Sequence, residues 1–326
     1  MNKRERLLAA LDGRQVDRIP FTLWRHYYAQ DRTAAGLARA TLEFYHRYSL
    51  DLIVLTPGPF YMAEAWQMDI RSFGNDEIAH YIVSPAVERA TDWRQLAEID
   101  VLTSSLQREI EAVRLIKAQL GADDAPVILP LFSPLTTADM LCNGRVIQDM
   151  RSFSNDLRSG LERITQATID LAAACLDAGV DGFMLINRLA NQELIRRREY
   201  RGFVREFDLQ VWRPLVDRAA IRVLSLPGEN LRFDEVNQYP VQVVNWESWR
   251  AAPSIAGARR QVRCGLMGGL NPATFVDGTV RDVQDQIAGA VEQSGGWHFV
   301  VAPSAPLSPD SQDALIASVS QTIQSL

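Results

Sequence analysis

Cysteine is scarce in this sequence. Cys142, Cys175 and Cys264 are the three in the chain, and no two form a C-x-x-C pair. An odd, scattered set excludes a disulfide framework and a zinc knuckle. Cys175, within Ala172–Leu176, reads instead as a small core residue on a helix. No apolar run approaches the roughly 20 residues of a membrane-spanning helix. The basic start, Met1–Arg6, leads into only a short apolar patch, so no signal peptide is expected and the reducing cytoplasm is the expected location. Basic surplus is missing too. The formal net charge is −6, and phosphate backbones need clustered Lys and Arg, so nucleic acid is not an expected partner. The densest basic stretch, Arg196-Arg197-Arg198 with Arg201 and Arg205, is interleaved with Glu193, Glu199 and Glu206. It reads as a solvated helix face paired along its own length. Short chemical signatures are also absent: no G-x-S-x-G, no H-E-x-x-H, no P-loop and no G-x-G-x-x-G.

What is present is an ordinary globular composition, 47% hydrophobic and 23% charged. A chain of this length buries roughly three quarters of its unfolded surface and needs no staple. A unit recurs along it: a short apolar, β-branched run, then polar or Gly/Pro residues, then a helical stretch. Eight runs can be marked, Ile19–Leu23, Asp51–Thr56, Pro126–Phe132, Gly179–Ile186, Ile221–Leu226, Val241–Trp246, Arg263–Gly269 and Trp297–Ala302. Several are continuously apolar, as in Leu52-Ile53-Val54-Leu55, which is expected of parallel strands covered on both faces. Helical stretches fall between them, among them Ala34–Tyr48, Leu106–Leu120, Asp156–Leu176, Tyr200–Ala219, Val280–Glu292 and Ser311–Ile323. Eight alternating units predict an α/β chain folded as one (β/α)8 barrel domain over residues 1–326, with an extra β-hairpin inserted near 76–90. An open doubly wound sheet would want the missing glycine fingerprint.

Barrel active sites form at the carboxyl ends of the strands, so the last residues of each run are the candidates. They include Arg25 and His26, Asn187 and Arg188, Glu229, Asn245 and Glu247, and Ser304. Arg25 and Arg188 suit an anion, with Asn187, Asn245 and Ser304 as further substrate contacts. Glu229, Glu247 and His26 are the acid/base candidates. Each also has a plainer reading: Arg25 as a surface charge, His26 as a satisfied structural histidine, Glu229 and Glu247 as loop carboxylates, Asn187-Arg188 as a helix cap. His298 reads as a packed strand residue. His46 and His80 have no metal-ligating companion in the sequence, so no metal site is expected. Gly268-Gly269 fits tight packing in a barrel wall better than a phosphate cradle.

Four segments carry a family resemblance. The opening Asn2–Leu11 with Asp17-Arg18-Ile19-Pro20-Phe21, then Tyr239–Trp246 leading to Ala252-Pro253-Ser254-Ile255, then Gly265–Pro272, and finally Trp297–Ser304 with Leu307-Ser308-Pro309-Asp310 together resemble the uroporphyrinogen decarboxylase superfamily. The resemblance spans essentially the whole chain. It implies the barrel, and it implies one of two chemistries. Decarboxylases of this superfamily remove acetate carboxyls from uroporphyrinogen without a cofactor. Its corrinoid and thiol methyltransferases hold zinc with a His-x-Cys motif and a later Cys.

Carried over by position, most of these groups are replaced. Arg25 matches the first arginine of the decarboxylases, but Tyr27-Tyr28-Ala29 lacks the second. Their pyrrole-gripping Asp falls near Pro57, their Tyr near Met140, their Asp-Ser pair on Asn187-Arg188 and their late His near Ser304. The methyltransferase His-x-Cys becomes Ser225-Leu226-Pro227, and the later Cys becomes Ala305. The leading expectation is a divergent decarboxylase-like lyase related to porphyrin biosynthesis. It would act on a carboxylated tetrapyrrole-like or other small anionic substrate, without metal or cofactor. One alternative is a methyltransferase-like protein lacking the usual zinc ligands, with a corrinoid protein as partner. The other is a non-catalytic barrel that binds a tetrapyrrole or a partner. The resemblance further implies a homodimer.

Overall fold

Apolar runs with no polar alternation become parallel strands because helices cover one face and the strands' own inward side chains fill the other. In the computed structural model, which describes residues 1–326, that pattern unfolds in chain order. Helices α1 (Lys3–Leu11) and α2 (Ala34–Tyr48) precede strand β1 (Ile53–Val54). A hairpin of β2 (Asp69–Arg71) and β3 (Tyr81–Ser84) follows, then α3 (Gln107–Lys117) and β4 (Val127–Phe132). Next come α4 (Pro134–Leu141), α5 (Val146–Ser152), α6 (Ser154–Asp177), β5 (Gly182–Ile186), α7 (Arg197–Glu199) and α8 (Glu206–Trp212). The chain ends with β6 (Ile221–Leu226), β7 (Val243–Trp246), α9 (Ile255–Arg259), β8 (Gly265–Leu270), α10 (Thr274–Asp277), α11 (Val280–Ser294), β9 (Phe299–Pro303) and α12 (Asp313–Gln324).

Seven strands form one parallel sheet in the order β1-β4-β5-β6-β7-β8-β9. The run Ile19–Leu23 fills the gap between its edges. On one side Thr22 N donates to Val301 O and Val301 N to Pro20 O, both at 3.0 Å. On the other, Asp51 N donates to Phe21 O at 3.0 Å and Thr22 Oγ1 to Leu52 O at 2.7 Å. Pro20 has no N–H to give, so this eighth element closes the barrel through a few bonds rather than a full ladder.

Side chains then sort by parity. Leu52, Val54, Ile128, Met184, Val223, Val243, Met267 and Val300 pack inside the barrel, with Leu7 and Leu11 of α1 among them. Their odd-phase neighbours, such as Ile53, Leu129, Phe183, Leu224, Val244 and Val301, join the larger core beneath the helices. Asp51, fully buried, ties the lower end together. It accepts from Arg6 Nη1 at 2.9 Å, Arg18 Nη1 at 2.6 Å and Phe21 N at 3.1 Å. Gly269, at φ +101, leaves room for α11: a Cβ there would lie 2.5 Å from Ala290 Cβ. The packing reading of Gly268-Gly269 therefore holds at Gly269.

Two expectations need correction. The hairpin is not centred on 76–90; its strands are Asp69–Arg71 and Tyr81–Ser84, because the first strand pairs from residues just after the buried Trp66 turn. The basic stretch does not pair along its own helix. Residues Tyr200–Arg205 form a π-helical turn, which shifts the side-chain spacing. Arg201 and Arg205 instead reach the buried Glu235 at 2.9 and 2.6 Å, and Arg197 reaches Asp234.

Candidate functional site

The inward parity that packs the barrel continues upward past the core and ends in a hollow at the carboxyl ends of the strands. Trp24 and His26 follow the first element, Thr56 follows β1, Pro130 and Phe132 lie on β4, and Ile186 and Arg188 lie on and after β5. Ser225 lies on β6 and Pro227 just after it, and Ser304 follows β9. The hollow they line spans about 650 Å³, counting the part of its mouth open to solvent. No Asp or Glu lines it.

Parity also separates neighbours. Arg188 stands in the cavity, whereas Asn187, one step out of phase, turns outward into a buried network. Its Nδ2 donates to Asp208 Oδ2 at 3.2 Å and to Tyr200 Oη at 3.4 Å, while its Oδ1 accepts from Leu189 N at 3.0 Å. Tyr239 donates to Asp208 as well, at 3.0 Å. Asp208 is fully buried, and desolvation pushes its carboxyl up to about 7. Likewise His26 lines the cavity, while Arg25 turns away toward the hairpin, 3.7 Å from Asp76.

Arg188 is the cavity's only lining cation. Its guanidinium lies 5.2 Å from the Phe132 ring and has no hydrogen-bonded or ion-paired acceptor; its backbone N–H donates to Thr136 Oγ1 at 3.1 Å. Enclosure by protein lowers its pKa, with partial relief from the charge of Asp139. It remains a cation at any physiological pH.

His26 is held through Nδ1, 2.8 Å from Pro57 O. A carbonyl only accepts, so Nδ1 carries the proton and Nε2 offers a lone pair. Burial, opposed by that hydrogen bond and reinforced by the charge of Arg188, takes the ring down to about 4. The ring stacks on Tyr28 at 5.4 Å, and Tyr28 meets His80 edge-on at 5.1 Å. His80 Nε2 lies 2.9 Å from both oxygens of Asp31, and both side chains are buried. This pair, 49 residues apart in sequence, fastens the hairpin beside the mouth.

The two glutamates sit at the rim. Arg250 contacts both: its Nη1 is 2.9 Å from Glu229 Oε1, and its Nε bonds Glu247. Glu247 also accepts from Gly228 N at 2.9 Å. Neither carboxylate lines the cavity. Asn245 is a buried brace, its Nδ2 donating to Met267 O at 3.1 Å and Pro303 O at 3.0 Å, its Oδ1 accepting from Ser225 Oγ at 3.1 Å. Of the eight sequence candidates, the structure brings His26, Arg188 and Ser304 together. Arg25, Asn187, Glu229, Asn245 and Glu247 surround that group without lining it. Thr56 falls among the strand-end residues read from the sequence; sequence reasoning missed Ser225 as a lining group and Asp208 as the buried acid, and inward parity was the signal for Ser225.

Zinc, which the family resemblance raises, does not suit this donor set. The positions matching its ligands, Ser225, Pro227 and Ala305, do converge on the cavity. They offer one hydroxyl, already donating to Asn245, and no thiolate or imidazole. No cluster of three His, Cys, Asp or Glu side chains able to hold a metal occurs elsewhere. No helix is long and apolar enough to cross a membrane.

Known proteins place this barrel. At 23% identity over 332 residues, the chain resembles the methylcobamide:CoM methyltransferase MtaA of Methanosarcina barkeri, covering 94% of this chain and 93% of that protein. A methyltransferase from Methanosarcina mazei superposes with a TM-score of 0.85 at 18% identity, covering 100% and 99% of the two chains. A B12-independent methionine synthase from Shewanella sp. W3-18-1, in complex with selenomethionine, superposes at 0.64 with 12% identity over 94% of each chain. The family model described as Uroporphyrinogen decarboxylase (URO-D) matches residues 2–326, and the chain belongs to that family.

Proposed function

We propose that the protein is a methyltransferase-like member of the family that works without the zinc site, binding a small anion at the barrel mouth through Arg188. The observation that carries this reading is Arg188 itself. It is a guanidinium in a cavity with no carboxylate among its lining residues, and it has no protein acceptor. Such a group is a ready anion receptor. The named relatives are methyltransferases, which supports methyl transfer over carboxyl loss. In this reading the methyl group passes as a cation equivalent to a heteroatom of the bound anion. The donor, a methyl-corrinoid on a partner protein, keeps the bonding electron pair. His26 Nε2 accepts a hydrogen bond from the receiving heteroatom and orients it, and the proton released passes to solvent.

The decarboxylase reading draws less support from this cavity. Uroporphyrinogen carries eight carboxylates, and a single lining cation is a poor match for them. The rim glutamates, engaged by Arg250, are poorly placed to move a proton in the cavity.

Two assays separate the readings. Methylcobalamin consumption in the presence of small organic acids, lost in Arg188→Met, is the result expected. Carbon dioxide release from uroporphyrinogen with methylcobalamin untouched would reverse the assignment. Zinc bound stoichiometrically at the mouth, measured by metal analysis and lost in Ser225→Ala, would defeat the zinc-free version.

A further inference from the structure

The polar atoms of the mouth can be assigned as donors or acceptors from the bonds they already make, because a hydroxyl has one proton and a carbonyl none. Thr56 Oγ1 donates to Val54 O at 3.0 Å, so toward a ligand it can only accept. Ser225 Oγ is in the same position. The two N–H groups of Asn245 are fixed on the carbonyls of Met267 and Pro303, which turns Oδ1 to Ser225 and engages the serine's proton at 3.1 Å. His26 Nε2 is an acceptor because Nδ1–H is engaged by Pro57 O. Ser304 is the opposite case: its oxygen accepts from Trp249 Nε1 at 3.3 Å, which leaves its proton free. Arg188 can only donate.

The sheet order separates these groups around the ring. Arg188 follows β5, and β9 with the closing first element lies on the far side of the barrel. His26 and Thr56, on the first element and its neighbour β1, therefore form an accepting side. Arg188 is the cationic side. The walls between are apolar: Trp24, Phe132, Met184 and Ile186.

An anion alone would satisfy Arg188 and leave the two acceptors across from it, His26 and Thr56, without protons. An ammonium would meet those acceptors but no carboxylate, in a hollow whose one charge is positive. We infer that the ligand is a small hydroxy acid with an apolar skeleton, its anionic group on Arg188 and its neutral O–H donating to the His26–Thr56 side. This inference rests on the reading of the mouth as the ligand site and names the class of molecule it takes.

Three probes of equal size test it by calorimetry on the intact protein: 3-ethylbenzoate, 3-(hydroxymethyl)benzoate and 3-(aminomethyl)benzoate. The hydroxymethyl compound is expected to bind about three- to tenfold tighter than the ethyl compound, the ordinary worth of one hydrogen bond. The aminomethyl compound is expected to bind weakest. In His26→Phe the hydroxymethyl and ethyl compounds should become equal, and in Arg188→Met both should be lost. If the ethyl compound binds through Arg188 as well as or better than the hydroxymethyl compound, or the aminomethyl compound binds tightest, the hydroxy-acid assignment is overturned while the anion site stands. If no probe binds, or binding survives Arg188→Met, the anion site itself is overturned. Because the ranking is read on the unaltered protein, an unstable variant cannot obscure it.

Discussion

His26 and Arg188 show how much one residue's surroundings decide. Histidine ordinarily titrates near neutrality, yet burial takes His26 down to about 4. The ring is thus expected to stay neutral across physiological pH, and to charge only as the pH falls through about 4. A folded-state value below the unfolded one gives stability that is present above about 6.5 and lost as pH falls through the folded value. An NMR titration of the His26 ring carbons should show no inflection between pH 5 and 8; an inflection near 6.5 would mean that the ring is solvated and its Pro57 bond loose. Arg188→Met is expected to leave the fold intact, since the guanidinium anchors nothing, with the melting temperature within a few degrees of the parent. That variant separates ligand binding from stability.

At the scale of the element, Asp208 on α8 links that helix to the segment after β5. Its folded value of about 7 lies above the ordinary aspartate value of about 3.8. The sign follows: stability is greatest below about 3.8 and is lost as pH rises through about 7, because the unfolded chain gives up the proton first. Asp208→Asn removes that dependence. Its melting temperature relative to the parent should rise between pH 4 and pH 7 and then level off. A constant difference across the range would show that Asp208 is ionised in the fold. The hairpin offers a second test. Asp31→Ala deprives the buried His80 of its partner, so amide exchange across residues 69–84 should accelerate while the barrel strands remain protected.

The molecule as a whole depends on closing a seven-stranded sheet with one short, proline-containing element. Asp51 secures that closure by holding Arg6 of α1, Arg18 and the backbone of Phe21 at once. Asp51→Ala leaves two arginines without their buried counter-charge, and breaking such a buried pair costs about 3–5 kcal/mol. Urea unfolding should show the loss as a shifted midpoint with an unchanged slope. A shift below about 1 kcal/mol would mean that the strand contacts alone close the barrel.

How far the sequence carried this description follows from the range of the interactions involved. Apolar runs and helical periods are local, so Ala34–Tyr48 and Ile221–Leu226 were legible to the residue, and the order of the units fixed a barrel. Strand ends located the mouth, and Arg188, His26 and Ser304 with it. The sequence could not say which of two adjacent polar residues faces inward once a strand has ended. Arg25 and His26, or Asn187 and Arg188, look equivalent as text, and one step of parity sends them to opposite sides of the wall. Nor could it reveal partners distant along the chain: Arg250 engaging Glu229, Asp31 meeting His80, Asp208 beneath Asn187. Charge pairing and desolvation act through space, so only the folded arrangement decided which groups are engaged by the protein and which remain free for a ligand.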